Sequence, residues 1–348
     1  MGHSFHSKAF DTRVPDAFVV CLVLLSGLSS CRQQPIHLQG EVQGTYYSIS
    51  YYDNQGRNLQ GMTDSLLDDF DLTASLWKEQ SLIRRLNANA TDTMSPCFVD
   101  LLGKSMHTLS YTDGAFDYRV GKLVQEWGFS FKQRQEPSPQ RIDTLLIFSH
   151  GDVVIDTLQG IPILRKQYPE TEFDFNAIAQ GYAVDLLARQ YDALGIQNYL
   201  IDIGGEVIAK GCKPDGSPWR VGIERPAPDR NSQQTVEVAI ELHDASVVTS
   251  GNYRKYYERA GVRYSHTINP ATGYPVNHSL LSVSVVSREA WYADAMATAF
   301  MVMGLEKSKA FIAAHPDDPD IQAAFFIYDD GGSYKTYATP AFKKLINE

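Results

Sequence analysis

The sequence predicts an α+β fold, and three observations carry that prediction. Apolar residues recur at helical spacing over 61–77 and 177–194. From 198 to 242 short strand-like runs alternate with turns rich in Gly, Pro and Asp, and helical spacing returns at about 289–304 and 306–314. Helices interleaved in this way with mostly antiparallel strands pack as layers around a shared core.

Taken in order, residues 32–40 (RQQPIHLQG) read as a short tether leading into the fold. Residues 46–52 mix Tyr, Ser and Ile in a strand-like pattern that stops at the turn signal Asp53-Asn54-Gln55-Gly56. Met62, Leu66, Leu67, Phe70, Leu72 and Leu76 then recur at roughly helical spacing, and 101–112 is a second helix ending toward Asp113-Gly114. Residues 135–140, with Pro137 and Pro139, read as a loop, and 145–148 and 153–155 as strands on either side of Gly151-Asp152. The clearest helix is 177–194. Asn176 is its expected N-cap, Ile178, Tyr182, Leu186 and Leu187 form its stripe, Asp185 and Arg189 are an i,i+4 pair, and Gly195 stops it. Gly181 inside that helix costs about 1 kcal/mol against Ala, a cost that close approach by a ligand or a neighbouring element would explain. Strands at 199–203 and 206–210 flank Gly204-Gly205, a third at 219–224 follows a Pro-Asp-Gly turn, and 235–242 alternates.

The N-terminus carries a separate signal. Residues 17–25 (AFVVCLVLL) are a short apolar run followed by Ser26-Gly27-Leu28-Ser29-Ser30-Cys31. A bilayer-spanning helix needs about 20 apolar residues, so this run fits the core of a secretory signal instead. Leu28-Ser29-Ser30-Cys31 resembles a bacterial lipobox, in which the Cys becomes the lipidated first residue. The expectation is a lipoprotein signal peptide over 1–30, a tether and start of the fold over 31–43, and one domain over 44–348. An exported protein lipid-anchored to the outer face of the cytoplasmic membrane, or the periplasmic side of a bacterial envelope, follows. With Cys31 acylated, Cys97 and Cys212 are either two free thiols or one disulfide.

A chain with 43% hydrophobic and 21% charged residues is globular in composition. Its net charge of −10 argues against nucleic acid, whose binding relies on Lys and Arg neutralising phosphates. Neither Cys-x-x-Cys nor Cys/His spacing for zinc or iron–sulfur is present. Oxygen chemistry is better supplied. On a helix Asp294 and Thr298 share one face and offer two hard oxygens to a cation such as Mg²⁺. The competing reading is a solvated face with Thr298 bonded back to the preceding turn.

Three stretches gain meaning together: Asp174-Phe175-Asn176-Ala177-Ile178-Ala179-Gln180-Gly181, Ser265-His266-Thr267-Ile268-Asn269-Pro270, and Tyr292-Ala293-Asp294-Ala295-Met296-Ala297-Thr298. In the same order stand Gly44-Thr45, Ser75-Leu76-Trp77, Thr112-Asp113-Gly114-Ala115-Phe116-Asp117, Trp127-Gly128-Phe129, Ile203-Gly204-Gly205-Glu206 and Thr249-Ser250-Gly251-Asn252-Tyr253. Read in register over 44–304, these motifs resemble the ApbE family of FAD:protein FMN transferases.

The resemblance implies a single catalytic domain of mixed, mostly antiparallel sheets packed with helices, T-fold-like in arrangement. It implies a Mg²⁺-dependent enzyme that splits FAD, places FMN on a Thr or Ser hydroxyl of a partner protein and releases AMP. By position it assigns Asp294, Thr298 and the Ala177 carbonyl to the metal and His266 to the role of general base. FAD contacts carried over the same way are Gln43, Trp77, Ala115, Phe116, Asp117, Gln180 and Ile268. Trp77 and Phe116 are read either as rings stacked on FAD or as core. Several positions depart from the family pattern: Trp77 replaces Tyr, Gln43 replaces Met, and Gln180 replaces Lys or Glu. Asn269 replaces an Asp that could help orient His266. The implied acceptor carries an Asp-x-x-Ser/Thr-Gly-Ala-Ser/Thr segment, which this chain lacks, so a subunit of a membrane redox complex is the expected partner. Other readings of the same residues are an FAD pyrophosphatase releasing FMN and AMP, and a lipoprotein that binds FAD without turnover.

Overall fold

The computed structural model describes Met1 and residues 34–129, 137–226, 235–252, 256–259 and 262–346. The leader expected over 1–30 beyond Met1, Cys31, the first tether residues, Gln135 and Glu136 of the loop expected at 135–140, and Tyr253 lie outside the described residues, while Pro139 and Gln140 of that loop are helical instead. Gln33–Glu348 form one compact unit, and the elements below belong to it. No helix among the described residues is long and apolar enough to cross a membrane.

The strands are β1 (Ile36–Val42), β2 (Thr45–Tyr52), β3 (Val153–Leu158), β4 (Ile161–Lys166), β5 (Asn198–Ile203), β6 (Glu206–Lys210), β7 (Trp219–Glu224), β8 (Val236–Leu242), β9 (Ala245–Gly251), β10 (Tyr256–Arg259), β11 (Val262–Ser265), β12 (Leu280–Ser287), β13 (Ala323–Asp329) and β14 (Tyr334–Ala338). The helices are α1 (Gln60–Ala74), α2 (Leu82–Asn87), α3 (Pro96–Tyr111), α4 (Gly121–Glu126), α5 (Pro139–Ser149), α6 (Ala179–Ala193), α7 (Ala290–Met303), α8 (Leu305–Ala314) and α9 (Pro340–Lys343). Eight strands join in the order β1-β2-β5-β6-β9-β12-β13-β14, every neighbouring pair antiparallel. Separate hairpins form from β3–β4, β7–β8 and β10–β11. This is the α+β architecture the sequence predicts.

Period-two patterning decides what the sheet covers. On β13, Ala324 and Phe326 enter the main core under the helices. Their neighbours Ala323, Phe325 and Ile327 face a second core with Trp219, Ile223, Ile240 and Phe342 from β7, β8 and α9. A third, small cluster joins α4 and α5 through Leu123, Trp127, Ile142 and Leu145.

Four local expectations are corrected. The tether read at 32–40 is largely β1, because its partner β2 supplies the hydrogen bonds and buries Leu38. The turn joining them is Gln43-Gly44, with φ of 53° and 73°, the two positive values a tight type I′ hairpin demands. Residues 145–148 are not a strand but the end of α5. Ser138 caps it by accepting from the Arg141 N–H, Pro139 occupies its first turn, and Ile142 and Leu145 are buried while Ile147 is exposed. Four apolar residues in a row fit either structure by period alone.

The other two corrections lie on α6, which starts at Ala179 with no side-chain cap. Asn176 instead donates its backbone N–H to Asp174 Oδ1 at 2.8 Å. Asp185 makes no ion pair with Arg189. It crosses to α7, while the Arg189 guanidinium lies 5.4 Å from the centre of the Tyr182 ring. Of the two cysteine alternatives, the structure has free thiols, Cys97 half-buried and Cys212 exposed.

Candidate active site

A cleft of about 940 Å³ opens where the β1–β2 turn, the start of α6, the β5–β6 turn and α7 converge. It gathers each described residue that the sequence singled out: Gln43, Trp77, Ala115, Phe116, Asp117, Ala177, Gln180, His266, Ile268, Asp294 and Thr298 all line it. A smaller depression of about 420 Å³ beside His278 and Gly304 collects none of them.

The crossing of α6 and α7 sets the oxygen donors. Gly181 lets the helices touch, since a Cβ there would stand 2.3 Å from the Ala290 carbonyl oxygen. Of the two explanations for this glycine, the neighbouring element is the one realised. At that contact the Gly181 N–H donates to Asp294 Oδ2 at 3.0 Å. A regular helix would give that N–H to the carbonyl four residues back, at Ala177. The diversion explains why α6 begins two residues later than its pattern suggests, and it leaves the Ala177 carbonyl outside the helical ladder.

Asp294 is 4% exposed, and burial pushes its carboxyl up to about 7, with the nearby Asp185 charge adding to the effect. Thr298 does not bond back to its own helix: its hydroxyl meets the Ser250 hydroxyl at 3.2 Å. The solvated-face reading of this pair is therefore wrong. A buried carboxylate, a hydroxyl and a carbonyl outside its ladder form a hard oxygen set that suits Mg²⁺. No cluster of three His, Cys, Asp or Glu able to hold a metal occurs among the described residues, so any metal here would rest on this mixed set.

His266, half-buried, lines the same cleft. The chain after it folds back on itself, with the Val276 N–H bonded to the Thr267 carbonyl and the Asn269 N–H to the Tyr274 carbonyl. Ile268 enters the small α4–α5 cluster, and the Trp127 indole N–H donates to the Gly273 carbonyl at 2.7 Å. Asn269 Oδ1 accepts from the Ala271 N–H at 3.0 Å, so this side chain is engaged in its own turn.

The remaining predicted contacts divide by exposure. The Trp77 ring is 63% exposed on the rim, whereas Phe116 is 1% exposed and belongs to the core, leaving backbone for the cleft. Asp117 is occupied on both oxygens by Arg119, at 2.9 and 2.8 Å. Gln180 Nε2 donates to the Ile203 carbonyl at 2.8 Å and supports the Gly204-Gly205 turn. Gln43 bonds Asp71, whose carboxyl burial raises. Among the described residues the lining is rich in acids, with Asp71, Asp174, Asp202 and Asp294 beside Arg220. Sequence reasoning gave no role to Ser250, Asp174 or Arg220, and it read Asp185 only as a partner of Arg189. Ser250 and Asp174 lay inside quoted motifs, but nothing in the one-dimensional pattern signals which neighbour each side chain meets.

The fold is an α+β domain with a cleft lined by oxygen donors and His266, and no cysteine stands among its described lining residues. The chain belongs to the ApbE family, whose model matches residues 43–325. It is 34% identical over 334 residues to the FAD:protein FMN transferase of Vibrio cholerae, covering 94% of this chain and 97% of that one. Its identity to the Escherichia coli K12 enzyme of the same name is 34% over 320 residues, with 89% and 88% covered. The apo crystal structure of the Pseudomonas stutzeri flavinyl transferase ApbE aligns with a TM-score of 0.79 at 34% identity, covering 90% of this chain and 97% of that one.

Proposed function

We propose that this chain is an FAD:protein FMN transferase acting through the cleft between α6, α7 and His266. A hydroxyl oxygen of a protein acceptor attacks the FMN-side phosphorus of FAD. The bond from that phosphorus to the bridging oxygen breaks, FMN becomes a phosphodiester on the acceptor, and AMP leaves with the bridging oxygen. The observation that carries the reading is the joint placement of the Gly181–Asp294 crossing and His266 around one cleft.

His266 takes the hydroxyl proton as the new bond forms, a task for which an imidazole is well matched near neutral pH. The exposed Trp77 ring offers an aromatic face to the isoalloxazine or adenine. The Gln43-Gly44 and Gly204-Gly205 turns bring backbone close to the ligand with little side chain between. Asp294, Thr298 and the Ala177 carbonyl would hold Mg²⁺, which when bound supplies positive charge to the pyrophosphate and the departing AMP. The acids among the described lining residues would gain from that positive charge when FAD is bound.

The reading extends to location and partner. Cys31 would carry the lipid after removal of 1–30, which places the enzyme on the outer side of the cytoplasmic membrane. The acceptor would be a redox-complex subunit bearing the Asp-x-x-Ser/Thr-Gly-Ala-Ser/Thr segment. Incubation with FAD, Mg²⁺ and that acceptor should give acceptor-bound flavin fluorescence on a denaturing gel, and its Thr→Ala form should give none. Free FMN and AMP without protein-bound flavin would point to the pyrophosphatase, and no turnover at all to a carrier. For the anchor, mass spectrometry of the native protein should find a lipid on Cys31 that Cys31→Ser abolishes.

A further inference from the structure

Helix α7 offers its neighbours few directional contacts. Apart from aromatic residues, its polar side chains are Asp294 and Thr298, and both line the cleft. The remainder is mainly Ala, Met and Phe, buried on nearly every side. Such a surface resists sliding weakly, yet a slip of one residue shifts a helix by about 1.5 Å and turns it by about 100°. Either displacement would carry both oxygen donors away from the cleft.

The setting of the helix is fixed from outside. Its own N-cap, Glu289, makes no side-chain capping bond. Asp185, in the middle of α6, reaches across instead: Oδ1 accepts from the Ala290 N–H at 2.9 Å and Oδ2 from the Trp291 N–H at 2.8 Å. The side chain is 4% exposed, so these bonds are not shared with solvent. A carboxylate at the positive end of a helix is favourable as well as directional. One turn earlier on α6, the Gly181 N–H returns a bond to Asp294, one turn further along α7. Two opposed hydrogen-bond contacts between the same helices, one turn apart on each, lock translation and rotation together.

We propose that Asp185 is a positioning residue, which sets α7 against α6 so that Asp294 and Thr298 remain in the cleft beside Ala177. The inference rests on the reading that these three residues hold the metal. Asp185 touches neither metal nor FAD and acts through the helix it caps.

The test uses the full chain and reads metal binding directly, by loss of the free Mn²⁺ electron paramagnetic resonance signal, well below each variant's melting temperature. Asp185→Ala should weaken Mn²⁺ binding by roughly 10–100-fold, the range seen when an outer partner of a metal ligand is removed. Asp185→Asn, whose amide oxygen still accepts one N–H, should fall between it and the unmodified protein, and it carries the test if the alanine variant does not fold. Lowered melting temperatures with unchanged Mn²⁺ affinity in the folded Asp185 variants would overturn the proposal and leave Asp185 a purely structural cap. Asp294→Asn is measured in parallel. If that variant binds Mn²⁺ as the unmodified protein does, the metal set itself is wrong and the proposal falls with it.

Discussion

The two walls of the cleft are built differently. The oxygen donors sit where two long helices cross inside the main core, with Asp294 almost wholly buried. His266 sits on a folded-back segment that is held by a separate cluster of Leu123, Trp127, Ile142 and Leu145. One wall would hold charge, which is best served by a fixed, water-poor setting. The other would move a proton, which needs a group within reach of the acceptor hydroxyl. The contrast teaches that a site can divide its labour by placing one function in the core and the other on a satellite.

Substitutions on the two walls should therefore fail in different ways. The largest effect is expected from Asp294→Ala, which removes the sole carboxylate of the proposed metal set. Several kcal/mol of transition-state stabilisation correspond to about 10³-fold or more in turnover, with the fold retained in circular dichroism. Near-normal activity at limiting Mg²⁺ would break the contrast at its root. His266→Ala should lower kcat by about 10² while leaving the FAD dissociation constant nearly unchanged. A variant that instead loses FAD affinity and keeps its turnover number would make His266 a binding residue.

Gly181→Ala should strike stability and site together. The added methyl meets the Ala290 carbonyl at 2.3 Å, and separating α6 from α7 should cost about 1–3 kcal/mol, more than the helix propensity regained. Urea unfolding measures it, and an unchanged or raised midpoint would show that the crossing has slack.

Acid behaviour separates the walls further. Burial lifts Asp294 to about 7 and Asp185 to about 6, from an ordinary value of 3.8. Between pH 4 and 7 the folded state thus binds more protons than the unfolded one, so metal-free protein should lose stability as pH rises through that window. The slope is at most about 1.4 kcal/mol per pH unit for each group. Asp294→Asn should flatten part of the decline, as melting temperatures in chelator would report. The smallest change expected is for Trp127→Phe, which loses the bond to the Gly273 carbonyl. About 1 kcal/mol of stability should go, with turnover falling more than FAD affinity. If affinity alone changed, the satellite would be placing FAD rather than His266.

Much of this site was legible because family motifs mark it and because Asp294 and Thr298 share a helix face. Every described residue that the resemblance assigns to metal, base or FAD lines the cleft, yet their partners were mostly hidden. The pairing of Asp185 with Arg189 followed a sound local rule, but the helix N–H groups 105 and 106 residues away compete better for a buried carboxylate. Asn176 looked like a cap because the true start of α6 depends on where the Gly181 N–H goes, and that is decided by α7. Helix α5 was misread since period alone does not separate a short apolar run in a strand from one in a helix. Local rules found the elements; contacts distant in sequence chose their ends.

The exposure of Trp77 has a spectroscopic consequence. Of the four tryptophans, Trp127, Trp219 and Trp291 are 1%, 4% and 7% exposed, and Trp77 is 63% exposed at the cleft. The protein thus carries one indole whose emission should be red-shifted and open to acrylamide, against three that are sheltered. A flavin entering the cleft would sit beside that indole and drain its excited state, so ligand occupancy becomes readable in the unlabelled chain from the long-wavelength edge of its own fluorescence.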